Sequence, residues 1–193
     1  MLRDLVLKSR SCRRFVEREE IGEPTLRELV DLARYTPSAA NLQPLKYLLS
    51  FTPRMNGAIF PHLRWAAYLK EWKGPQEGER PPAYIVICSD TRISQAVGAD
   101  HGIAAQTILL GATERGYAGC MIASFDAAGL RAALRLPAEL QILIVLALGR
   151  PAEEIRLEPL PPSGDVRYWR DAAGVHHVPK RSLNEIIISR EEP

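Results

Sequence analysis

The sequence predicts an α+β sandwich in one compact domain, and three observations carry that expectation. Ile142-Leu143-Ile144-Val145-Leu146-Ala147-Leu148 is an apolar run without alternation, the pattern of a central strand covered on both faces. Residues 97–115 form the longest helical candidate. Ile103, Ala104, Ile108, Leu110, Gly111 and Ala112 spread apolar or small side chains over more than one face of it, so it is expected to be buried, in part against a second subunit. Strands and helices alternate along the chain without the strict β-α-β register of a parallel sheet.

The elements follow in order. Leu2, Leu5 and Val6 have helical spacing and give a short first helix ending near Ser9. Thr25-Leu26-Arg27-Glu28 reads as a capping box, and Leu26, Leu29, Val30 and Ala33 then form one apolar face of a second helix that Pro37 stops. Residues 47–52 read as a strand, 59–69 as a helix and 84–88 as a second strand. Between the last two, residues 74–82 (Gly-Pro-Gln-Glu-Gly-Glu-Arg-Pro-Pro) are expected to be a surface loop and a candidate lid. Gly116 ends the long helix, 119–122 is a short strand, and Ser124-Phe125-Asp126 caps a helix bearing Leu130, Ala133 and Leu134. After the apolar run, residues 159–165 are an extended linker. Asp171-Ala172-Ala173-Gly174 reads as the turn of a hairpin between Tyr168-Trp169-Arg170 and Val175-His176-His177. The tail, 183–193, is apolar from Leu183 to Ile188 and is expected to dock on a partner chain.

Composition excludes several function classes. The chain has 193 residues with 25 Lys+Arg against 23 Asp+Glu, a balance that lacks the basic excess of a nucleic-acid binder. Its longest apolar run, seven residues, falls far short of the ~20 that span a bilayer. Asp4 interrupts the position where a secretory leader would be apolar, and Cys12, Cys88 and Cys120 are neither paired in number nor close in sequence. A cytoplasmic protein with no nucleic-acid or membrane partner and no metal is therefore expected. Neither Gly-x-Gly-x-x-Gly, His-Glu-x-x-His nor Gly-x-Ser-x-Gly occurs, and Asp100-His101 reads as a helix-interior pair rather than a metal or acid–base fragment. Cys12 lies among Arg10, Arg13 and Arg14, a setting that stabilises a thiolate, but no base partner is apparent for a nucleophile.

Two stretches carry chemistry. In Ser9-Arg10-Ser11-Cys12-Arg13-Arg14-Phe15 the guanidinium forks and the Ser11 hydroxyl suit a phosphate. Viewed alone, the same residues also fit a solvated basic cluster facing Glu17, Glu19 and Glu20. In Pro37-Ser38-Ala39-Ala40-Asn41-Leu42-Gln43-Pro44 two prolines favour an extended backbone that places Asn41 and Gln43 on one side, where their carboxamides can read a heterocycle edge.

Together these two stretches resemble the FMN-dependent nitroreductase family. In order along the chain, residues 100–116 look like that family's central dimer helix, and Gly119-Cys-Met-Ile-Ala-Ser-Phe-Asp126 is similar to its strand and turn beside the flavin. Leu136-Pro137 and Leu146-Ala-Leu-Gly-Arg-Pro151 resemble its late strand and exit, and Pro179-Lys180-Arg181 with Leu183–Ile187 its C-terminal phosphate element. Three positions depart from the family: Ser9 replaces the first of two arginines, Ala123-Ser124 replaces a glutamate or glycine pair, and Leu45 replaces an aromatic.

The resemblance implies a nitroreductase-like sandwich, a central mixed sheet flanked by helices in an intertwined homodimer. It implies FMN as cofactor, with Arg10, Ser11 and Arg13 on the phosphate and ribityl chain and Lys180 and Arg181 closing from the other side. Pro37, Ser38, Ala39, Asn41 and Gln43 would serve the flavin bound mainly by the other subunit, and Met121, Ile122, Ala123 and Ser124 would line the ring. NAD(P)H and a nitroaromatic, quinone or similar small acceptor would react by turns at flavin N5, with no protein residue as acid or base. A flavin carrier or sensor without turnover is the alternative on the same scaffold. Trp65, Tyr68 and Trp72 are candidates for stacking on substrate, though ordinary packing explains them as well.

Overall fold

The computed structural model describes residues 1–188. Its main sheet has four strands in the order β1 (Leu45–Ser50), β2 (Ala83–Asp90), β4 (Leu140–Gly149), β3 (Ala118–Ile122). All three ladders are antiparallel, and the parallel component expected of a mixed sheet is a single bridge between Ser11 and Gly119 on the free edge of β3. Helices cover both faces. On one side α2 (Glu23–Arg34) and α4 (Asp100–Glu114) pack on Ala83, Ile85 and Ile87 of β2 and on Ile144, Leu146 and Leu148 of β4. On the other, α3 (Pro53–Ile59) and α5 (Ala127–Leu134) pack with Tyr84, Val86, Cys88, Val145 and Ala147. With both faces buried, the two central strands have no solvent side, so their sequences show no polar alternation.

The apolar run contains one irregularity. Ile87 pairs with Ile144 while the adjacent Cys88 pairs with Ile142, so Leu143 is an extra residue in β4. That bulge exchanges the faces of what precedes it: Ile142 packs with Val145 and Ala147, although it shares parity with Ile144.

Several boundaries differ from the sequence expectation. α2 begins at Glu23 with Gly22 as cap, so Thr25 lies inside the first turn and the expected capping box does not form. Pro24 sits where a missing N–H costs nothing, and Glu23 places a carboxylate at the positive helix end. The strand expected at 47–52 is β1, two residues earlier. The helix expected at 59–69 is instead α3, capped by Thr52, whose Oγ1 accepts the Met55 N–H, and followed by a short 3₁₀ turn at Phe60–His62. Pro61 has no N–H to extend the α-helical ladder, so the chain, still helical at Phe60 (φ −50°, ψ −45°), tightens into the 3₁₀ turn and becomes extended at Leu63 (ψ 148°). α4 starts at Asp100, three residues later than expected, and Gly116 (φ 77°) ends it as read. Asp126 caps α5 as read, its Oδ1 accepting the Gly129 N–H at 3.0 Å.

A second, three-stranded sheet lies beyond the apolar run: β5 (Ile155–Pro159) parallel to β7 (His176–Lys180), and β6 (Trp169–Arg170) antiparallel to β7. The β6–β7 hairpin forms where expected, but its loop runs over 171–175, one residue longer than read, because Arg170 pairs with His176; the Asp171 N–H donates to Val175 O at 3.1 Å inside it. Residues 74–82 form neither helix nor strand, and they are tied to the N-terminal segment by Phe15 N–H to Glu79 O and Glu17 N–H to Gly78 O. α1 (Leu2–Lys8) and α6 (Leu183–Ile186) leave Leu2, Val6, Leu7, Leu183, Ile186, Ile187 and Ile188 exposed. No helix among the described residues is long and apolar enough to cross a membrane.

Candidate functional site

The segment after α1 runs along the free edge of β3. Ser11 bridges Gly119, and Cys12 donates its N–H to Gly119 O at 3.0 Å. Cys12 is buried beneath the segment, so the period-two geometry of extended chain turns its neighbours Ser11 and Arg13 outward. From the other end of the sequence β7 arrives, and the same alternation turns His176, Val178 and Lys180 toward them. α4 contributes Gln106 and Leu109, β3 contributes Met121, and Tyr168 stands at the start of the hairpin. These residues, with Ser9 and Arg10, line one cavity of about 260 Å³.

The cavity is cationic. Arg10 Nη2 donates to Val6 O at 2.7 Å, while its Nε is buried without a partner, and burial lowers the pKa of this arginine below its usual value. Arg13 Nη1 donates to Ser11 O at 3.2 Å and lies 3.4 Å from His176 Nε2, with its guanidinium 5.0 Å above the Tyr168 ring. Behind it, the Glu153 carboxylate accepts the Arg13 N–H and, at 2.7 Å, Arg170 Nη2. The Glu153 side chain is 1% exposed and that of Arg170 12%. Burial pushes the His176 pKa down to about 4, so the ring is neutral at neutral pH. Two guanidinium groups, an ammonium and the hydroxyls of Ser9 and Ser11 thus face one hollow whose apolar wall is Leu109, Met121 and Val178. Each charge-assisted bond such a set makes to an anion is worth about 1.5–3 kcal/mol.

Of the residues singled out from the sequence, Arg10, Ser11, Arg13, Met121 and Lys180 meet in this cavity. Pro37, Ser38 and Gln43 line a second cavity of about 270 Å³ with Thr36, Tyr47 and Asp100. Ala39 and Asn41 are exposed beside it, as are Ala123 and Ser124 beyond β3; Ile122 is in the core, and Arg181 is exposed, 3.5 Å from Glu185. The extended backbone expected at 37–44 does not form. Ala40, Asn41 and Gln43 have φ of 49°, 56° and 52°, in a turn gathered by Asp100. Its buried carboxylate accepts the Ser38 hydroxyl at 2.6 Å and the Ala39 N–H at 3.1 Å, and Ser38 Oγ in turn accepts the Gln43 N–H at 2.9 Å. Left-handed non-glycine residues cost about 1–3 kcal/mol each and persist where surroundings over-determine them, typically at ligand sites. Asn41 and Gln43 still meet, Gln43 Nε2 donating to Asn41 Oδ1 at 3.1 Å.

Other candidates take structural roles. Cys12 is 1% exposed and burial, with Glu153 adding to it, pushes its thiol up to about 12, so the neighbouring arginines do not make it a nucleophile. Asp100 is the loop anchor just described. Trp65 packs between Phe60 and Trp72, with ring centroids 5.9 and 6.4 Å away, and Arg170 lies 4.2 Å over Trp72. Tyr68 meets the edge of Tyr168 at 5.0 Å, which brings it next to the cavity. No group of three or more metal-ligating side chains occurs among the described residues. Sequence reasoning missed Gln106, Tyr168, His176 and Glu153; a four-residue turn at 171–174 sets Val175 opposite Arg170, whereas the observed register sets His176 there.

The nitroreductase family model matches residues 6–150. A protein from Thermus thermophilus named NADH dehydrogenase is 29% identical over 177 residues, 77% of this chain and 85% of that protein. Among solved structures, a nitroreductase family protein from Streptococcus pneumoniae superposes with a TM-score of 0.69 at 16% identity, covering 98% of this chain and 100% of that one. An FMN-dependent nitroreductase from Clostridium difficile superposes with a TM-score of 0.63 at 21% identity, covering 78% and 87%.

Proposed function

The chain belongs to the nitroreductase family, and from that premise we propose that it is an FMN-dependent NAD(P)H oxidoreductase that works as a homodimer. The observation that carries the proposal is the meeting of Arg10, Ser11, Arg13 and Lys180, from opposite ends of the sequence, in one cavity. The residues present fit the cofactor. A phosphate monoester is dianionic and acceptor-rich, the donor set is cationic and hydroxylic, and the buried Arg10 Nε lacks an acceptor that such a ligand supplies.

When bound, FMN would supply two-electron transfer through N5 of its ring, from NAD(P)H to a nitroaromatic, quinone or similar small acceptor. The chain's own residues have the remaining tasks. Arg10, Arg13, Lys180 and the serine hydroxyls hold the phosphate end, with Arg181 following on the same strand exit. Leu109, Met121 and Val178 keep water from one side of the hollow. The volume of about 260 Å³ lies just below the roughly 300–1,000 Å³ of small-molecule clefts, so one chain supplies only part of the site. Gln106 also borders an open hollow over the outer face of α4, where Gly102 and Ile103 are exposed. A partner seated there would bring its own residues 37–43, whose strained loop and carboxamides are suited to the ring edge.

Exposed Ile103, Leu183 and Ile186–Ile188 support the dimer reading, with the tail at 183–193 lying on the partner; its last five residues fall outside the described ones. The proposal treats residues 1–193 as one FMN-binding domain with 74–82 as its lid. Three buried, unpaired cysteines fit a reducing, cytoplasmic setting. The test is a visible spectrum of the purified chain with FMN, followed by anaerobic addition of NADH or NADPH. Flavin uptake and bleaching are expected. Lasting colour would leave a carrier or sensor, and no uptake would end the proposal.

A further inference from the structure

We propose that His176 is a positioning residue, whose imidazole accepts a hydrogen bond from Arg13 and so holds that guanidinium in the cavity, ready for a phosphate group. The proposal rests on the FMN reading above and deepens it.

A guanidinium has donors only, so the approach of Arg13 Nη1 to His176 Nε2 at 3.4 Å is favourable only if Nε2 carries a lone pair. The surroundings of the ring keep it neutral, which leaves a lone pair on one of its two nitrogens. His176 is 1% exposed, and burial is the largest influence keeping it neutral. The charged and titratable groups around it act in both directions: Glu153 favours the imidazolium, while Arg13 on the N-terminal segment, Arg170 on β6 and His177 on its own strand oppose it. Tyr168, 5.1 Å from the ring, contributes an aromatic face, and the same tyrosine lies under Arg13. Arg13 is therefore held at its backbone by Glu153, from below by Tyr168, and at Nη1 by Ser11 O and His176. A free arginine side chain loses about 2 kcal/mol of rotamer freedom when fixed, so fixing it before the ligand arrives lowers the cost of binding.

Strand register explains why this histidine and not its neighbour takes the role. Alternation on β7 turns His176 to the cavity and His177 to the opposite side, where Glu158 (2.7 Å) and Asp171 (3.2 Å) hold it. A neutral ring with its lone pair on Nε2 carries its proton on Nδ1, and Nδ1 of His176 is buried without a partner. The tautomer is thus part of the proposal.

The test compares FMN with riboflavin, which lacks the phosphate, in titrations of the full chain at pH 7. His176→Leu, without an acceptor, should weaken FMN binding about tenfold and leave riboflavin binding unchanged. His176→Gln, which keeps an acceptor, should restore most of the loss. Equal weakening of both ligands, or of neither, would overturn the proposal. If the wild-type chain takes up neither ligand, the FMN reading fails. The imidazole nitrogen NMR spectrum of the ligand-free chain then decides: a neutral Nδ1–H tautomer that is lost in Arg13→Leu supports the contact, whereas an Nε2–H tautomer refutes it.

Discussion

Glu153→Leu is expected to be among the most damaging single substitutions near the site. The Glu153 side chain is 1% exposed and its two oxygens accept the Arg13 N–H and Arg170 Nη2. Removing it leaves a guanidinium that is 12% exposed without its counter-ion, together with an orphaned backbone donor. Breaking a buried pair from one side costs about 3–5 kcal/mol, a fall in Tm of roughly 6–20 °C for a chain of this size. Replacing both members by apolar residues is often close to neutral for the pair itself. Glu153→Leu combined with Arg170→Met should therefore cost less than the first change alone, retaining about 1–3 kcal/mol for the orphaned Arg13 N–H. Urea denaturation at a fixed protomer concentration measures both, provided the m-value is constant. A cost below about 1 kcal/mol for Glu153→Leu, or a double variant that shows the plain sum of the single losses, would refute the reasoning.

Three further outcomes are expected. Gly119→Ala should destabilise by about 1–3 kcal/mol in the same denaturation assay. Its Cβ would lie 2.5 Å from Leu109 Cδ2 and 2.7 Å from Ala147 O, and the latter is backbone of a central strand that cannot yield. The adjacent histidines should titrate in opposite directions by NMR, His177 above 6.5 because Glu158 and then Asp171 bond its ring, and His176 near 4 because it is buried. The stability owed to His177 is present below about pH 6.5 and lost as pH rises through its raised pKa; that owed to neutral His176 is present above about pH 6.5 and lost as pH falls toward 4. Cys12 should resist iodoacetamide in the native protein and react once urea exposes it, since a thiol pushed up to about 12 carries almost no thiolate at pH 8.

The parts of the fold legible in the sequence are those where one physical demand dominates. β2 and β4 are buried on both faces, so their composition alone declares them. Asp126 and Gly174 satisfy local backbone needs and mark their helix and turn in isolation. Errors arose where two local signals compete. Thr25 and Glu28 offer a capping box, but Pro24 and Glu23 begin the helix earlier. The apolar residues after Ile59 suggest a helix, but it ends one 3₁₀ turn later, where Leu63 becomes extended and bridges Phe125, a residue distant in sequence. At 37–44 the prolines favour extension, but Asp100, distant in sequence, gathers Ser38 and Ala39 into a left-handed turn that no local pattern encodes. The bulge at Leu143 is likewise invisible in a run of uniform residues.

The site divides in the same way. Arg10, Ser11, Arg13 and Lys180 stand in short motifs whose resemblance to a family could be read directly. Glu153, Tyr168 and His176 are single residues from three segments, and only the packing of the small sheet against the N-terminal segment gives them a shared purpose.

The most direct test of the cationic cavity is an equilibrium FMN titration of the wild-type chain beside Arg10→Ala, Arg13→Ala and Lys180→Ala. Each variant should bind FMN at least several-fold more weakly while keeping the wild-type melting profile. Unchanged affinity in all three would place the phosphate elsewhere and contradict the account.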